Sequence, residues 1–258
     1  MPVSNDSTSK TLIVALALCI VCSVIVSTAA VVLKPVQEQN KALDRKRNIL
    51  AAAGMLVPGQ SIDEQFSHIE ARVVDLRTGK FTDEVSADSY NQLKAAKDPK
   101  RSTALSPEED PAKIFRREDY SVVYVAKDAS GAVDKIILPI RGYGLWGTLY
   151  GFIALNGDAN TVAGIGFYEH KETPGLGGEV DNPRWKSLWH GKEVYTGNDV
   201  AIQVIKGTVD PSAPNAEHRV DGLAGATLTT RGVNQLVRYW LGENGFEPFL
   251  HNLKSGEA

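Results

Sequence analysis

Thr11 to Leu33 is dominated by Val, Ile, Leu and Ala and holds no charged residue. A hydrocarbon core needs about 20 such residues, so this stretch predicts a transmembrane helix. A cleaved signal peptide would carry a shorter apolar run of about 7–15 residues. From Lys34 to Ala53 charged residues mix with strong helix formers until Gly54 and Pro58, which predicts a helix leaving the membrane and then stopping. Ser61 and Glu64 are spaced as a capping box, and Ile62, Phe66 and Ile69 continue at helical steps, predicting a helix that ends near Ala71. Val73–Leu76 reads as a strand, and the polar stretch from Ser86 to Pro111, punctuated by Pro99 and Pro107, reads as a surface excursion.

Beyond Tyr120 the period falls to that of strands. Ser121–Ala126 and Val133–Ile140 flank Lys127 to Gly131 as a hairpin, and Thr148–Leu155 and Thr161–Tyr168 repeat the arrangement across Asn156, Gly157 and Asp158. Val200–Ile205 supplies a further strand. From Val233 the apolar residues Leu236, Val237, Trp240 and Leu241 recur at steps of three and four, the buried face of an amphipathic helix. Antiparallel strands with few helices predict an α+β fold: a tail 1–10, a transmembrane helix 11–33, a membrane-proximal helix or stalk 34–60, and one domain over 61–258 with a twisted antiparallel sheet and flanking helices.

A formal net charge of −3 with scattered basic residues excludes nucleic acid as the expected partner. The only cysteines, Cys19 and Cys22, lie in the span as two small hydrophobes, so the domain is expected to hold no disulfide and no cysteine-ligated metal. Lys34, Lys41, Arg45, Lys46 and Arg47 follow the span while only Lys10 precedes it, which by the positive-inside rule puts the domain in the cytoplasm.

Candidate chemistry concentrates just before the last helical pattern. In Asp221-Gly-Leu-Ala-Gly-Ala-Thr-Leu-Thr-Thr230, small residues surround hydroxyls at a helix start, where unpaired N–H groups and the helix dipole favour an anion. A hydroxyl there can cap the helix or carry a phosphoryl group. Two more glycine-rich stretches border strands: Arg141-Gly-Tyr-Gly-Leu-Trp-Gly147 and Glu169-His-Lys-Glu-Thr-Pro-Gly-Leu-Gly-Gly-Glu179. Glycine lets backbone approach a flat ligand, and it equally makes tight turns. His170, on a loop beside acidic residues, is expected to face solvent and receives no proton-transfer role. Glu169 and Glu172 are spaced as a carboxylate pair but imply no hydrolytic site. No GxGxxG follows a strand with an acid downstream, so the chain carries no dinucleotide fingerprint.

The segment from Asp221 to Thr230 resembles the flavinylation motif of covalent FMN-binding domains, with Ala224 standing where a hydroxyl residue is usual. The loop from Glu169 to Glu179 resembles the second hallmark of such domains in the sodium-translocating NADH:quinone reductases and the related ferredoxin:NAD reductase complexes. Over residues 10 to 245 the chain is most similar to the C-subunit family of the former. The resemblance implies FMN joined by a phosphoester to Thr227, with Asp221, Gly222, Gly225, Ala226 and Thr229 completing the motif. It implies that Glu172, Thr173, Leu176 and Gly177 lie along the isoalloxazine, with Trp146 an apolar contact and Lys206 a candidate for the polar edge of the ring.

It further implies an electron-transfer subunit of a sodium-pumping complex, with no catalytic residue and no metal of its own. Its partners would be the other membrane subunits, membrane lipid and a flavin transferase for maturation; NADH oxidation and sodium passage would belong to those subunits. A single-pass protein of the bacterial inner membrane follows, with its domain on the periplasmic side, against the charge rule. The corresponding subunit of the ferredoxin:NAD complex, or a membrane-tethered binding or assembly module without redox role, are the alternatives.

Overall fold

A computed structural model describes residues 7–258. The first part of the expected tail, residues 1–6, lies outside the described residues. Helix α1, Thr8–Ala52, runs unbroken through Pro35 and is long and apolar enough to cross a membrane. Two compact units divide within it, one up to Asp44 and the other Arg45–Ala258. The second unit thus begins earlier than the expected 61, because Ile49, Leu50, Ala52 and Ala53 at the end of α1 are buried in its core.

In chain order the second unit continues with α2 (Ile62–Phe66), β1 (Ile69–Asp75), β2 (Lys80–Phe81), α3 (Gln92–Ala95), β3 (Ser102–Ala104) and β4 (Arg116–Glu118). Then follow β5 (Tyr120–Lys127), β6 (Val133–Tyr143), β7 (Thr148–Asn156) and β8 (Val162–Glu169). The short α4 (Pro183–Ser187), β9 (Tyr195–Thr196), β10 (Asp199–Val200), β11 (Gln203–Val204) and β12 (Arg219–Val220) precede α5 (Thr227–Trp240) and α6 (Glu247–Ser255). The central sheet has the order β2-β1-β5-β6-β7-β8 and is antiparallel throughout; β11 and β12 form a separate parallel pair.

The helix expected to run on from Ser61 to Ala71 is only one turn. Ser61 makes no side-chain cap; Gln65 instead receives the Val57 N–H at 2.7 Å and donates to the Val57 and Gln60 carbonyls, each at 3.2 Å. Ile69 to Asp75 then pairs residue by residue with Ala126 to Tyr120, so Ile69 and Val73 point into the core as strand residues. The expected strand over Val200–Ile205 is two short pieces instead of one.

Alternation along the strands sorts the sheet into two apolar faces. Ile136, Leu138, Ile140, Leu149, Ile153 and Ile165 face α5 and α6, where Leu236, Trp240, Phe246 and Phe249 close the larger core. Ile137, Phe152, Ala154 and Tyr124 face the opposite way, against the last turns of α1. The turns follow from their side chains. Asp128 accepts N–H bonds from Ser130 and Ala132 between β5 and β6, and Asp158 accepts those of Asn160 and Thr161 between β7 and β8.

Between β6 and β4 lies a buried ion pair. Arg141 Nη2 donates to Glu118 Oε2 at 2.5 Å and to the Arg116 carbonyl at 3.0 Å, while the guanidinium stacks 5.6 Å from the Trp240 ring. The Trp240 indole N–H returns to the Arg141 carbonyl at 2.7 Å, fixing α5 to the strand that leads into the turn at Tyr143–Gly147.

Candidate functional site

Helix α5 begins at Thr227, earlier than its apolar period alone indicates. Gly225 (φ +70°) reverses the chain, Ala226 takes the capping position with no side chain to cap with, and the ladder opens with Thr230 N–H to the Ala226 carbonyl at 2.9 Å. The N–H groups of Thr227, Leu228 and Thr229 precede that bond and have no partner within the helix. Each threonine of the motif has a different task. Thr230 Oγ1 accepts the Leu223 N–H at 2.9 Å, Thr229 donates to Glu172 Oε2 at 2.5 Å, and Thr227 stands exposed as the first helical residue. Of the two uses open to a helix-start hydroxyl, capping falls to none of the three at Ala226.

Asp221 faces away from this end. Its carboxylate accepts the Val209 N–H at 2.9 Å and its carbonyl accepts the Trp185 indole N–H, also at 2.9 Å, so it ties the incoming chain to the loop before it. Gly222 donates to the Gly207 carbonyl at 2.9 Å, and a Cβ on it would stand 2.3 Å from the Ile205 carbonyl oxygen. Lys206 is exposed in that same Ile205–Gly207 loop.

The loop after β8 turns at Thr173–Leu176. Pro174 and Gly175 (φ +74°) occupy the central positions and Leu176 N–H reaches the Thr173 carbonyl at 3.1 Å, a type II turn. Thr173 and Leu176 are left exposed, and Leu176 Cδ2 lies 3.2 Å from where a Cβ on Gly225 would be. Gly177 is buried beneath; a Cβ there would stand 2.5 Å from Thr229 Oγ1 and 2.6 Å from Glu172 Oε2. Close approach of the loop to α5 therefore demands glycine at 177.

Glu172 joins the third segment. Its Oε1 accepts the N–H groups of Leu145 at 2.9 Å and Trp146 at 3.0 Å in the turn between β6 and β7. Trp146 is 62% exposed, which removes it from the core and places it on the rim with Leu145, Leu176 and Leu228. Glu169 is exposed whereas Glu172 is buried, so the two carboxylates do not act as a pair.

His170 departs from expectation. Its side chain is only 15% exposed: Nδ1 accepts the Glu172 N–H at 3.2 Å and Nε2 lies 2.8 Å from Asp181 Oδ2. Sequence reasoning also passed over Gly232, inside α5, where a Cβ would meet the Tyr143 carbonyl oxygen at 2.5 Å. A glycine costing about 1 kcal/mol in a helix interior is the signal that marked this contact.

These features fit a flat phosphorylated ligand. A free hydroxyl sits among helix-start N–H groups, Gly225 adds no side chain beside it, and exposed apolar side chains surround it. Among the described residues no cluster of metal-ligating side chains occurs.

Residues 144–242, which take in the segments Glu169–Glu179 and Asp221–Thr230 and the turn residues Gly144–Gly147, match the family model of the FMN-binding domain. The C subunit of the Na(+)-translocating NADH-quinone reductase of Pseudomonas aeruginosa is 56% identical over 99% of this chain and 99% of its own length. Its counterpart from Vibrio alginolyticus is 49% identical over 100% of this chain and 99% of its own. The crystal structure of Shewanella oneidensis NqrC superposes with a TM-score of 0.76 at 34% identity, covering 84% of this chain and 99% of that one. The same subunit from Parabacteroides distasonis gives a TM-score of 0.65 at 27% identity over 84% of this chain and 96% of that one. The chain belongs to the family of C subunits of the Na(+)-translocating NADH-quinone reductases.

Proposed function

We propose that this chain carries FMN as a phosphoester on Thr227 and relays electrons between other redox centres of a sodium-translocating NADH:quinone reductase. The observation that carries the reading is the Thr227 hydroxyl, exposed at the first residue of a fourteen-residue helix whose leading N–H groups are free for phosphate oxygens. Bound FMN supplies one- or two-electron chemistry. The chain's own part is to hold and orient it. Leu145, Trp146, Leu176 and Leu228 offer apolar surface to the ring, Gly225 leaves it room, and Thr173 and Lys206 lie exposed on the adjoining loops for its polar groups.

NADH oxidation and sodium passage fall to other subunits, and a flavin transferase installs the cofactor. The domain is assigned to the periplasmic side of the inner membrane. The opposing charge rule has less force for a large domain, which crosses a membrane largely regardless of charge. Lys46 pairs with Asp63 at 2.6 Å, and the Arg45 guanidinium stacks 5.9 Å from the Tyr124 ring, so both belong to the folded domain. Protease digestion of spheroplasts is expected to cleave the domain; protection there, with cleavage in inverted vesicles, reverses the assignment.

Mass analysis of the peptide containing Thr227, from protein matured with a flavin transferase, tests the attachment. The expected gain is riboflavin phosphate less one water, lost in Thr227→Val together with the fluorescence of the denatured band. An unmodified peptide, or fluorescence retained in Thr227→Val, refutes it.

A further inference from the structure

Glu172 is 5% exposed, and among the described residues its carboxylate accepts from the N–H groups of Leu145 and Trp146 and from the Thr229 hydroxyl. No lysine, arginine or histidine forms an ion pair with it among the described residues. Room is carved for it by two glycines, since a Cβ on Gly144 would stand 2.5 Å from Oε1 and one on Gly177 would stand 2.6 Å from Oε2. Its own backbone is held in turn, because the Glu172 N–H donates to His170, which Asp181 fixes from the far side. A charge removed from water and balanced only by neutral donors is costly unless each donor stays in place, so the three segments are coupled through one carboxylate.

We infer that Glu172 is a positioning residue for the bound flavin. It does not offer a face to the ring. It clamps the turn bearing Trp146 to the first turn of α5 that bears Thr227, so the ring's apolar wall and its attachment point move as one body. This rests on the reading of Thr227 as the attachment site, and the experiment separates the two.

Full-length protein in detergent, produced without a flavin transferase, is followed by amide hydrogen exchange at Leu145 and Trp146. Thr229→Val keeps the shape of the side chain and removes one donor. Thr229 bonds neither amide, yet the clamp requires their exchange to quicken by about tenfold or more, as expected for losing a charge-assisted bond. Glu172→Ala is expected to raise it at least as far, and the double variant no further. Unchanged exchange in Thr229→Val overturns the clamp, and that variant decides alone if Glu172→Ala fails to fold.

In protein matured with the transferase, Thr229→Val and Glu172→Gln are then expected to shift the flavin's midpoint potential and visible absorption, both read per flavin bound. Quickened exchange with an unmoved potential and spectrum overturns the positioning role. The exchange arm contains no flavin, so an unmodified Thr227 in the parent protein would sink the attachment while leaving the clamp measurable.

Discussion

Replacing Gly232 by Ala sets two effects of opposite sign against each other. In a helix interior alanine is favoured over glycine by about 1 kcal/mol. Against this, the new Cβ would lie 2.5 Å from the Tyr143 carbonyl oxygen and 2.9 Å from Gly144 Cα, both backbone atoms that no rotamer change can move. Ordinary contact distances are about 3.5–4.0 Å, so α5 must retreat from the β6–β7 turn by about 1 Å, and overpacking of this kind costs about 1–3 kcal/mol. Trp240 and Leu236 further along the helix are fully buried and resist the shift. Across most of that range the packing term wins, and the variant is expected to be less stable by up to about 2 kcal/mol.

Denaturant unfolding of the full-length protein in detergent, read by tryptophan fluorescence, measures this. Gly166→Ala is the control, since nothing lies within 4 Å of a Cβ built there and its φ is not positive. It is expected to gain about 0.4–1 kcal/mol from the stiffer unfolded chain. A Gly232→Ala protein as stable as the parent, or more so, would show that the close approach of helix and turn is soft and that Gly232 has no packing role.

Glu118→Ala would leave Arg141 buried with its Nε already lacking a partner among the described residues, and an unfolding midpoint lower by the equivalent of about 3–5 kcal/mol is expected. Replacing both residues by methionine should recover much of that loss, which a cost due to lost volume alone would not do. Leu50→Ala, at a position with 0% exposure, is expected to cost about 2–5 kcal/mol in the same assay, placing the end of α1 in the domain's core energetically as well as geometrically. Burial raises the Asp75 carboxyl, but hydrogen bonds from the Arg77 side chain and backbone, with the charges of Arg77 and Arg117, outweigh it and hold the group below its ordinary 3.8. A depressed folded value adds stability above 3.8 that is lost as pH falls through the lower folded value. The stability advantage over Asp75→Asn should therefore be present at neutral pH and shrink below 3.8; an advantage that grew on acidification would reverse the assigned direction.

The helix start at Thr227 was legible because its signals are local: small residues, hydroxyls and an apolar period after them, all within one segment. The hairpins were legible for the same reason, as β5 to β8 are bounded by turn residues whose side chains build the turns. Ile62, Phe66 and Ile69 misled because steps of three and four arise equally from a single helical turn followed by a strand. Only the pairing of Ile69 with Ala126, far along the chain, decides between them. Helix α6 did carry signals, Pro248 in its first turn and Gly256 (φ +75°) at its end, but they bracket a pattern too short to stand out. His170 was misplaced because its charged neighbours in sequence say nothing of Asp181, which the following turns bring beside it. Residues that meet across long separations, such as Glu172 with Leu145, leave no periodic trace at all.

The openness of the candidate site bears on why attachment would be covalent. A site that holds a ligand by contact alone buries about 70–90% of its surface, whereas here the apolar residues around Thr227 form a shelf, with Trp146 62% and Leu228 52% exposed. A cleft of about 660 Å³ lies elsewhere, between α6 and the β9–β10 hairpin, lined by Tyr195, Glu247 and Lys254. A shelf of this kind gives a ring little to hold it and leaves its edge open. For a carrier that exchanges electrons with partner proteins an open edge is an advantage, and the proposed ester to Thr227 would remove the need for burial that would close it. The rigidity that burial normally supplies has then to come from beneath the shelf, where Gly177, Gly232 and the Glu172 carboxylate lock loop, helix and turn together.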